Sequence, residues 1–377
     1  MDVVVTGIGL RSALGDLSQT WQAMLLDQTG IRQGRPFGEL PEKPLALIGD
    51  RPLADVRKLT QWVLQDALLD AGLTLPLRNC GVVVGSSRGN QTRFEQFLQA
   101  PANLAQDWLQ ALPYAAAQEV AHMIQTQSIT LSPMAACATG IAAIAQGAML
   151  IDSGRCDRVI AGAIETPVTR LTMAGFEQMG AMAQTGGFPF DVRREGLALG
   201  EGGAIVVLEA GELARSRQAQ CYGRILGFGS SADADHISSP ARDGHGAIAA
   251  IRQSLQMADL AAASIQYIHA HGTGTKLNDA MEAQVIQQLF GSTKVNQPWV
   301  SSSKGAVGHT LGAASAIGVA LTLMSLSQQQ LLPSIGCAQS DFDLNVVQTT
   351  VSRSLKYALC QGFGFGGQNG AIVLGVG

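Results

Sequence analysis

Cys137 stands in the run MAACATG, after an alternating stretch and at the mouth of an almost wholly apolar segment. A thiol at the start of a buried helix meets free N–H groups and positive partial charge, and both favour the nucleophilic thiolate. The same N–H groups could hold an oxyanion formed on a bound carbonyl group. A small buried core thiol is the alternative reading of the residue. His271 lies in HAHGTGT, which follows the apolar stretch Ile265–Ile268. His271, Thr273 and Thr275 therefore belong on a turn at a strand's end, where ligands gather in α/β proteins. His269, one period back on that strand, reads as structural.

Lys304 and His309 lie in SSSKGAVGHTLGAAS, on a turn that leads into a second apolar helix. Asp279 and Glu282 follow His271 at the start of another helix, where acids are ordinary first-turn residues. Glu282 is the better candidate for a partner of Lys304. Phe363 and Phe365 alternate with glycines in GFGFGGQNG, a run that permits close backbone approach and ring movement. A Gly-rich turn with core aromatics is the plainer reading there.

These residues need elements to hold them. Val3–Thr6, Val82–Val84, Ser128–Ser132, Arg158–Ala161 and Ala204–Leu208 read as strands, and Leu59–Ala71 has helical spacing. The segment from Cys137 to Ile151 is apolar on nearly every side and belongs inside the core. Gly34–Leu53, rich in Pro and Gly, reads as a surface excursion. The alternation argues for an α/β fold. The chain also echoes itself. ALLDAGL before CGVVVGSS matches SLQMADL before IQYIHAHGTG, and ITLSPMAACATGIAAIAQGAML matches VSSSKGAVGHTLGAASAIGVALTL. EGGAIVVLE matches GQNGAIVLG, so the chain reads as two copies of one unit joined near Gly211–Gln220. The Cys137 turn and the His309 turn then become pseudo-symmetric partners whose helix mouths converge on one site.

Together MAACATG, HAHGTGT with Asn278, Asp279 and Glu282, SSSKGAVGHTLGAAS and GFGFGGQN resemble the β-ketoacyl-acyl-carrier-protein synthase family on the thiolase fold. TGIG near the start, GVVVGSSRG and FDVRREGLALGEGG agree, and the resemblance covers nearly the whole chain. It implies two βαβαβαββ halves, 1–215 and 216–377, in five layers α/β/α/β/α. It implies Cys137 as the acyl-accepting nucleophile, with His271 and His309 holding the enolate formed as malonyl loses CO2. Lys304 would support His309, and Glu282 would hold Lys304. Thr273 and Thr275 would contact the phosphopantetheine arm. Phe365 would gate the acyl pocket, with Phe363 beside it, and its N–H would join that of Cys137 in an oxyanion hole. No metal or other cofactor is implied. The implied partners are an acyl carrier protein and a second subunit, either an identical copy or a related chain-length subunit. Arg57 and Lys58, an adjacent basic pair, are the candidate carrier contact, with a solvated helix start as the alternative. Gln361-Gly362 departs from the family's usual Asn-Ser ahead of FGFGG.

Bulk composition agrees. The 377 residues are 46% hydrophobic and 14% charged, enough apolar material for a large core. A net charge of −4 without a basic run argues against nucleic acid. The stretch Ile141–Ile151 is too short to span a bilayer. The N-terminus reads as a strand and turn, and the six cysteines form neither CxxC nor a zinc pattern with His. A cytoplasmic protein with reduced thiols is expected. Three rival readings stand beside the resemblance. Gly85–Gly89 fits the GxSxG of a serine hydrolase, Cys360 could be a thiolase's second cysteine, and a non-catalytic chain-length subunit shares the scaffold.

Overall fold

The computed structural model describes residues 2–53, 55–99 and 108–377. Ten strands organise the site: β1 Val3–Ser12, β2 Gly81–Gly85, β3 Thr130–Leu131, β4 Arg158–Glu165 and β5 Gly202–Ala210, then β6 Gly223–Ala232, β7 Tyr267–His269, β8 Trp299–Ser301, β9 Tyr357–Gly364 and β10 Gln368–Gly375. They form one continuous path in the order β8-β7-β9-β10-β6-β1-β5-β4-β2-β3. The path divides at β6–β1, where only Val3–Val5 pair with Gly223–Ile225. Each side of that seam repeats the other. β2 lies parallel between β3 and β4, while β5 and β1 continue antiparallel. Likewise β7 lies parallel between β8 and β9, while β10 and β6 continue antiparallel.

Six helices complete the layers: α1 Val56–Asp70, α2 Ala115–Ile124, α3 Thr139–Asp152, α4 His245–Met257, α5 Lys276–Phe290 and α6 Ala314–Gln328. α1 and α2 cover the outside of the first sheet, and α4, with α5 beside it, covers the outside of the second. α3 and α6 lie between the sheets and touch each other. Side-chain alternation builds this arrangement. In β5, Val206 and Leu208 enter the central core while Ile205 and Val207 enter the outer one. In β10, Ile372 and Leu374 face the centre while Ala371 and Val373 face α4 and α5. Strands buried on both faces read as continuous apolar runs, as these do.

The central helices explain the small-residue content. A Cβ on Gly140 would lie 2.2 Å from the backbone N of Ala316, so only glycine lets α3 and α6 approach this closely. Ser315 Oγ also accepts the N–H of Ile141 at 3.1 Å and ties the two helix starts together. The helical stretch Leu311–Gln328 is long and apolar enough to cross a membrane, but 83% of it is buried in this core.

Element edges differ from the sequence reading. β1 runs on to Ser12, β3 shrinks to two residues, and the central helix begins at Thr139 rather than Cys137. Gly34–Leu53 is not merely a surface excursion. Lys43–Ala46 is a buried strand between Arg32–Gly34 and Leu199–Gly200, and Lys43 is ion-paired with Glu177 at 2.7 Å.

Candidate active site

Two equivalent turns carry the chemistry, one ahead of each central helix. Before α3, Thr139 Oγ1 accepts the N–H of Ala135 at 2.9 Å and donates to the carbonyl of Ala136 at 2.6 Å. These bonds hold Ala136 at φ 45°, a left-handed geometry unusual for a residue with a Cβ, and so set the direction of Cys137. Before α6, Leu311 also has φ 45°. Its N–H donates to Nδ1 of His309 at 3.1 Å. Since Nδ1 accepts, the neutral ring carries its proton on Nε2.

The two turns meet. The Cys137 sulfur and ring nitrogens of His271 and His309 all lie within 4.8 Å of one another. The rings stand edge to face with centroids 5.4 Å apart. All three residues line a cavity of about 390 Å³, whose wall includes Thr273, Thr275, Phe363 and Phe365. Thr273 and Thr275 bond each other through their hydroxyls at 2.8 Å.

Lys304, Glu282 and Asp279 are buried but do not line this cavity; they fix the backbone that carries His271. Glu282 Oε1 accepts the N–H of His271 at 2.6 Å, and Oε2 accepts that of Gly272 at 2.7 Å. Asp279 accepts from Phe190 N at 2.8 Å and Thr273 N at 3.0 Å. Lys304 Nζ donates to the carbonyl of His271. The expected Lys304–Glu282 contact is therefore indirect: the two grip the same peptide from opposite polar ends. Asp279, in the first turn of its helix, also clamps the preceding loop by accepting from Thr273 N and Gly274 N.

Burial dominates the electrostatics. It holds both His271 and His309 well below the usual imidazole range, and the neighbouring Lys304 charge adds to the effect. Both shifts favour the neutral ring. Burial also pushes the Cys137 thiol up to about 11, against the pull of Lys304 and of the Phe365 N–H. Burial thus works against the thiolate that the helix start would favour. Burial lowers Lys304 while the Glu282 charge opposes that shift, and Glu282 is raised to about 7.

Phe365 stacks on Phe176 with centroids 5.6 Å apart, and Phe363 meets the His271 ring edge-on at 5.7 Å. Gly364 between them is pressed to the nucleophile turn: a Cβ there would lie 2.8 Å from Cys137 N. Arg57 pairs with Asp55 at 2.9 Å, and Lys58 lies over Trp62; neither lines the cavity. Among the described residues, Cys137, His271 and His309 form the one cluster with metal-ligand geometry. The Leu311 N–H opposes that use, because it makes Nε2 of His309 a donor rather than a lone pair.

The rival motifs fall elsewhere. Cys360 is fully buried, 4.0 Å from His269 and 3.9 Å from the Ser315 carbonyl, and does not line the cavity. In the GxSxG turn, Ser87 gives its backbone N–H to Glu165, and the Ser86 hydroxyl closes the turn on Gly89 at 2.8 Å. Sequence reasoning missed Ser302, whose hydroxyl donates to Gly272 O at 2.7 Å and accepts from Lys304 N at 3.2 Å. Its place in SSSKG was a usable signal. It also missed Phe176, Leu311 and Glu165, whose parts depend on packing and backbone direction that no local motif encodes.

Known proteins resemble this chain over most of its length. Residues 55–214 match the Beta-ketoacyl synthase N-terminal domain, and residues 222–338 match the Beta-ketoacyl synthase C-terminal domain. The 3-oxoacyl-acyl-carrier-protein synthase 2 of Vibrio cholerae is 32% identical, with 98% of each chain aligned. The ishigamide ketosynthase/chain length factor superposes with a TM-score of 0.91 at 28% identity, covering 100% of this chain and 99% of that one. A ketosynthase from Xenorhabdus doucetiae, solved in complex with its chain length factor, gives 0.84 at 26% identity, covering 100% and 98%.

Proposed function

This chain belongs to the β-ketoacyl synthase family, and from that premise we propose how its residues divide the work of the reaction. It is a β-ketoacyl-acyl-carrier-protein synthase on the thiolase fold, an acyltransferase of fatty acid or polyketide synthesis. It joins an acyl thioester to malonyl carrier with loss of CO2. In the first step Cys137 takes the acyl group, and the carrier leaves as its free thiol. Malonyl carrier then enters, its terminal carboxylate leaves as CO2, and the electron pair moves onto the thioester oxygen. Nε2–H of His309 and a ring N–H of His271 receive that oxyanion. Neutral, pre-aimed donors favour the transition state over the uncharged ground state. The enolate carbon attacks the acyl carbonyl on Cys137. The N–H groups of Cys137 and Phe365 take the resulting oxyanion, and collapse releases β-ketoacyl carrier and the Cys137 thiolate, which regains its proton from solvent.

The observation that carries this division of labour is the convergence of one sulfur and two imidazoles within 4.8 Å from turns in opposite halves of the chain. Lys304, Glu282 and Asp279 are positioning residues for the His271 turn. Thr273 and Thr275 take the phosphopantetheine arm, and Phe365 with Phe363 gates the acyl pocket. We read Arg57 and Lys58 as outer contacts for the carrier protein. The chemistry as written uses no metal or redox cofactor, and the donor state of His309 supports that reading. The division at residue 215 is part of the same proposal, supported by the repeated strand order and the two separate domain matches.

A second subunit is also proposed. β3 ends the sheet and offers an open edge close to the nucleophile, with Leu131 39% and Met134 58% exposed beside it. An open apolar edge suits pairing with an identical copy, or with a chain-length subunit of the kind seen in the Xenorhabdus complex. We propose that the protein works in the cytoplasm with its carrier. The test is His309→Ala supplied with acyl and malonyl carriers. Acyl loading should persist while CO2 release and β-ketoacyl product are lost. Product formation within about threefold of wild type would defeat the assignment of His309.

A further inference from the structure

One wall of the active-site cavity follows a short run of chain from the core to solvent. His271 and Thr273 are buried, Thr275 is half-buried, and Lys276, the first residue of α5, is exposed; all four line the cavity. Among the described residues, Lys276 is the one lysine or arginine lining it, and no acid pairs with its amine. The two carboxylates that share the lining are taken up by the protein itself. Glu195 Oε1 accepts the N–H groups of Gln184 at 2.9 Å and Thr185 at 2.6 Å. Asp233 accepts from Asn369 Nδ2 at 2.7 Å and from the Ala241 N–H at 3.0 Å. Ser238 and Ser239, on the loop between β6 and α4, also line the cavity. Their N–H groups both donate to Nδ1 of His236 at 3.1 Å, and among the described residues their hydroxyls are free to donate elsewhere. An ammonium and two hydroxyls are donors suited to an anion.

The proposed reaction brings one anion to this place. With its thioester at Cys137 and its amides beside Thr273 and Thr275, a pantetheine arm is uncharged along its length and carries a phosphodiester at its outer end. We propose that Lys276 is a specificity-determining residue that binds the phosphodiester joining the arm to its carrier protein. This rests on the reading of the cavity as the way by which carrier-borne thioesters reach Cys137. Lysine meets phosphate as a point charge, and an exposed one is screened by salt. The contact lies far from the reacting carbon and is the same before and during acyl transfer. Binding of that kind lowers KM and leaves kcat where it was.

The test measures acyl loading of Cys137, by intact mass, from acyl-phosphopantetheine and from acyl-pantetheine, two thioesters that differ by the phosphate alone. In the wild type at low salt the phosphate should raise kcat/KM about fivefold, and the advantage should shrink in about 0.5 M salt. In Lys276→Ala the ratio should fall below about twofold, whereas Lys276→Arg should keep it. A wild-type ratio of one, a ratio that survives in Lys276→Ala, or one lost equally in Lys276→Arg would overturn the proposal. With acyl carrier as donor, Lys276→Ala should raise KM while kcat falls less than about twofold. Acyl-CoA bears the same phosphate on a nucleotide, so a KM rise with acyl-CoA alone would overturn the assignment to the carrier. Failure of the underlying reading is a separate result, seen as no acyl adduct on Cys137 from either thioester, and it would end both.

Discussion

Replacing Glu282 with Gln isolates the role of the His271 turn. The carboxylate accepts the N–H of His271 at 2.6 Å and of Gly272 at 2.7 Å, both in a fully buried setting. Glutamine keeps one acceptor and turns an NH2 toward the other donor. One charge-assisted bond is lost, and a buried N–H is left unmatched. Such a bond is worth about 1.5–3 kcal/mol, and stranding a donor costs about 1–3 kcal/mol, with overlap between the two. The turn should therefore lose about 2–4 kcal/mol, shared between stability and the aim of the imidazole. A displacement near 1 Å at a reacting group costs about a hundredfold in rate. The expected result is a fall in condensation kcat of about a hundredfold. Acyl loading of Cys137 should change less than about tenfold, because loading uses the other turn. The assay is single-turnover loading by intact mass beside steady-state formation of β-ketoacyl carrier. Equal losses in both steps, or condensation within twofold of wild type, would refute the argument that Glu282 acts through His271.

Three more outcomes follow from particular contacts. Gly364→Ala would press a methyl to 2.8 Å from Cys137 N, 2.9 Å from Ala136 Cβ and 3.0 Å from Ala135 O. Overpacking of about 1–3 kcal/mol should lower the melting temperature and slow acyl loading more than it weakens malonyl binding. Glu201 is a buried acid raised to about 7 by desolvation. Its stabilising contribution is full below its unfolded value of 4.5 and is lost as pH rises through 7. Urea unfolding should show the wild type losing about 3 kcal/mol against Glu201→Gln between pH 4.5 and 8, and parallel curves would contradict the shift. Ser87→Ala keeps the backbone N–H that serves Glu165, so condensation should stay within about threefold of wild type, whereas a serine hydrolase would be dead.

Much of the site was legible because its motifs sit at strand ends and helix mouths, and because the halves repeat. The match between the Cys137 and His309 segments already implied that two turns face each other, and the meeting of the sulfur with both imidazoles bears out that geometry. What stayed hidden depends on direction and burial. Nothing local to Glu282 distinguishes a carboxylate that holds two backbone N–H groups from one that pairs with Lys304. A helix start near the thiol is visible in a sequence, whereas the burial that pushes the thiol's pKa up comes from the whole core. Lys43–Ala46 was read as surface because its strand neighbour, Leu199–Gly200, lies far along the chain.

The most direct test is to incubate the protein with one acyl carrier, quench, digest and locate the acyl group by tandem mass spectrometry. The adduct should be found on the peptide containing Cys137, and it should shift to the β-ketoacyl carrier when malonyl carrier is added. An acyl group on Cys360 or Ser87, or condensation by a Cys137→Ala protein that carries no adduct, would contradict the central claim.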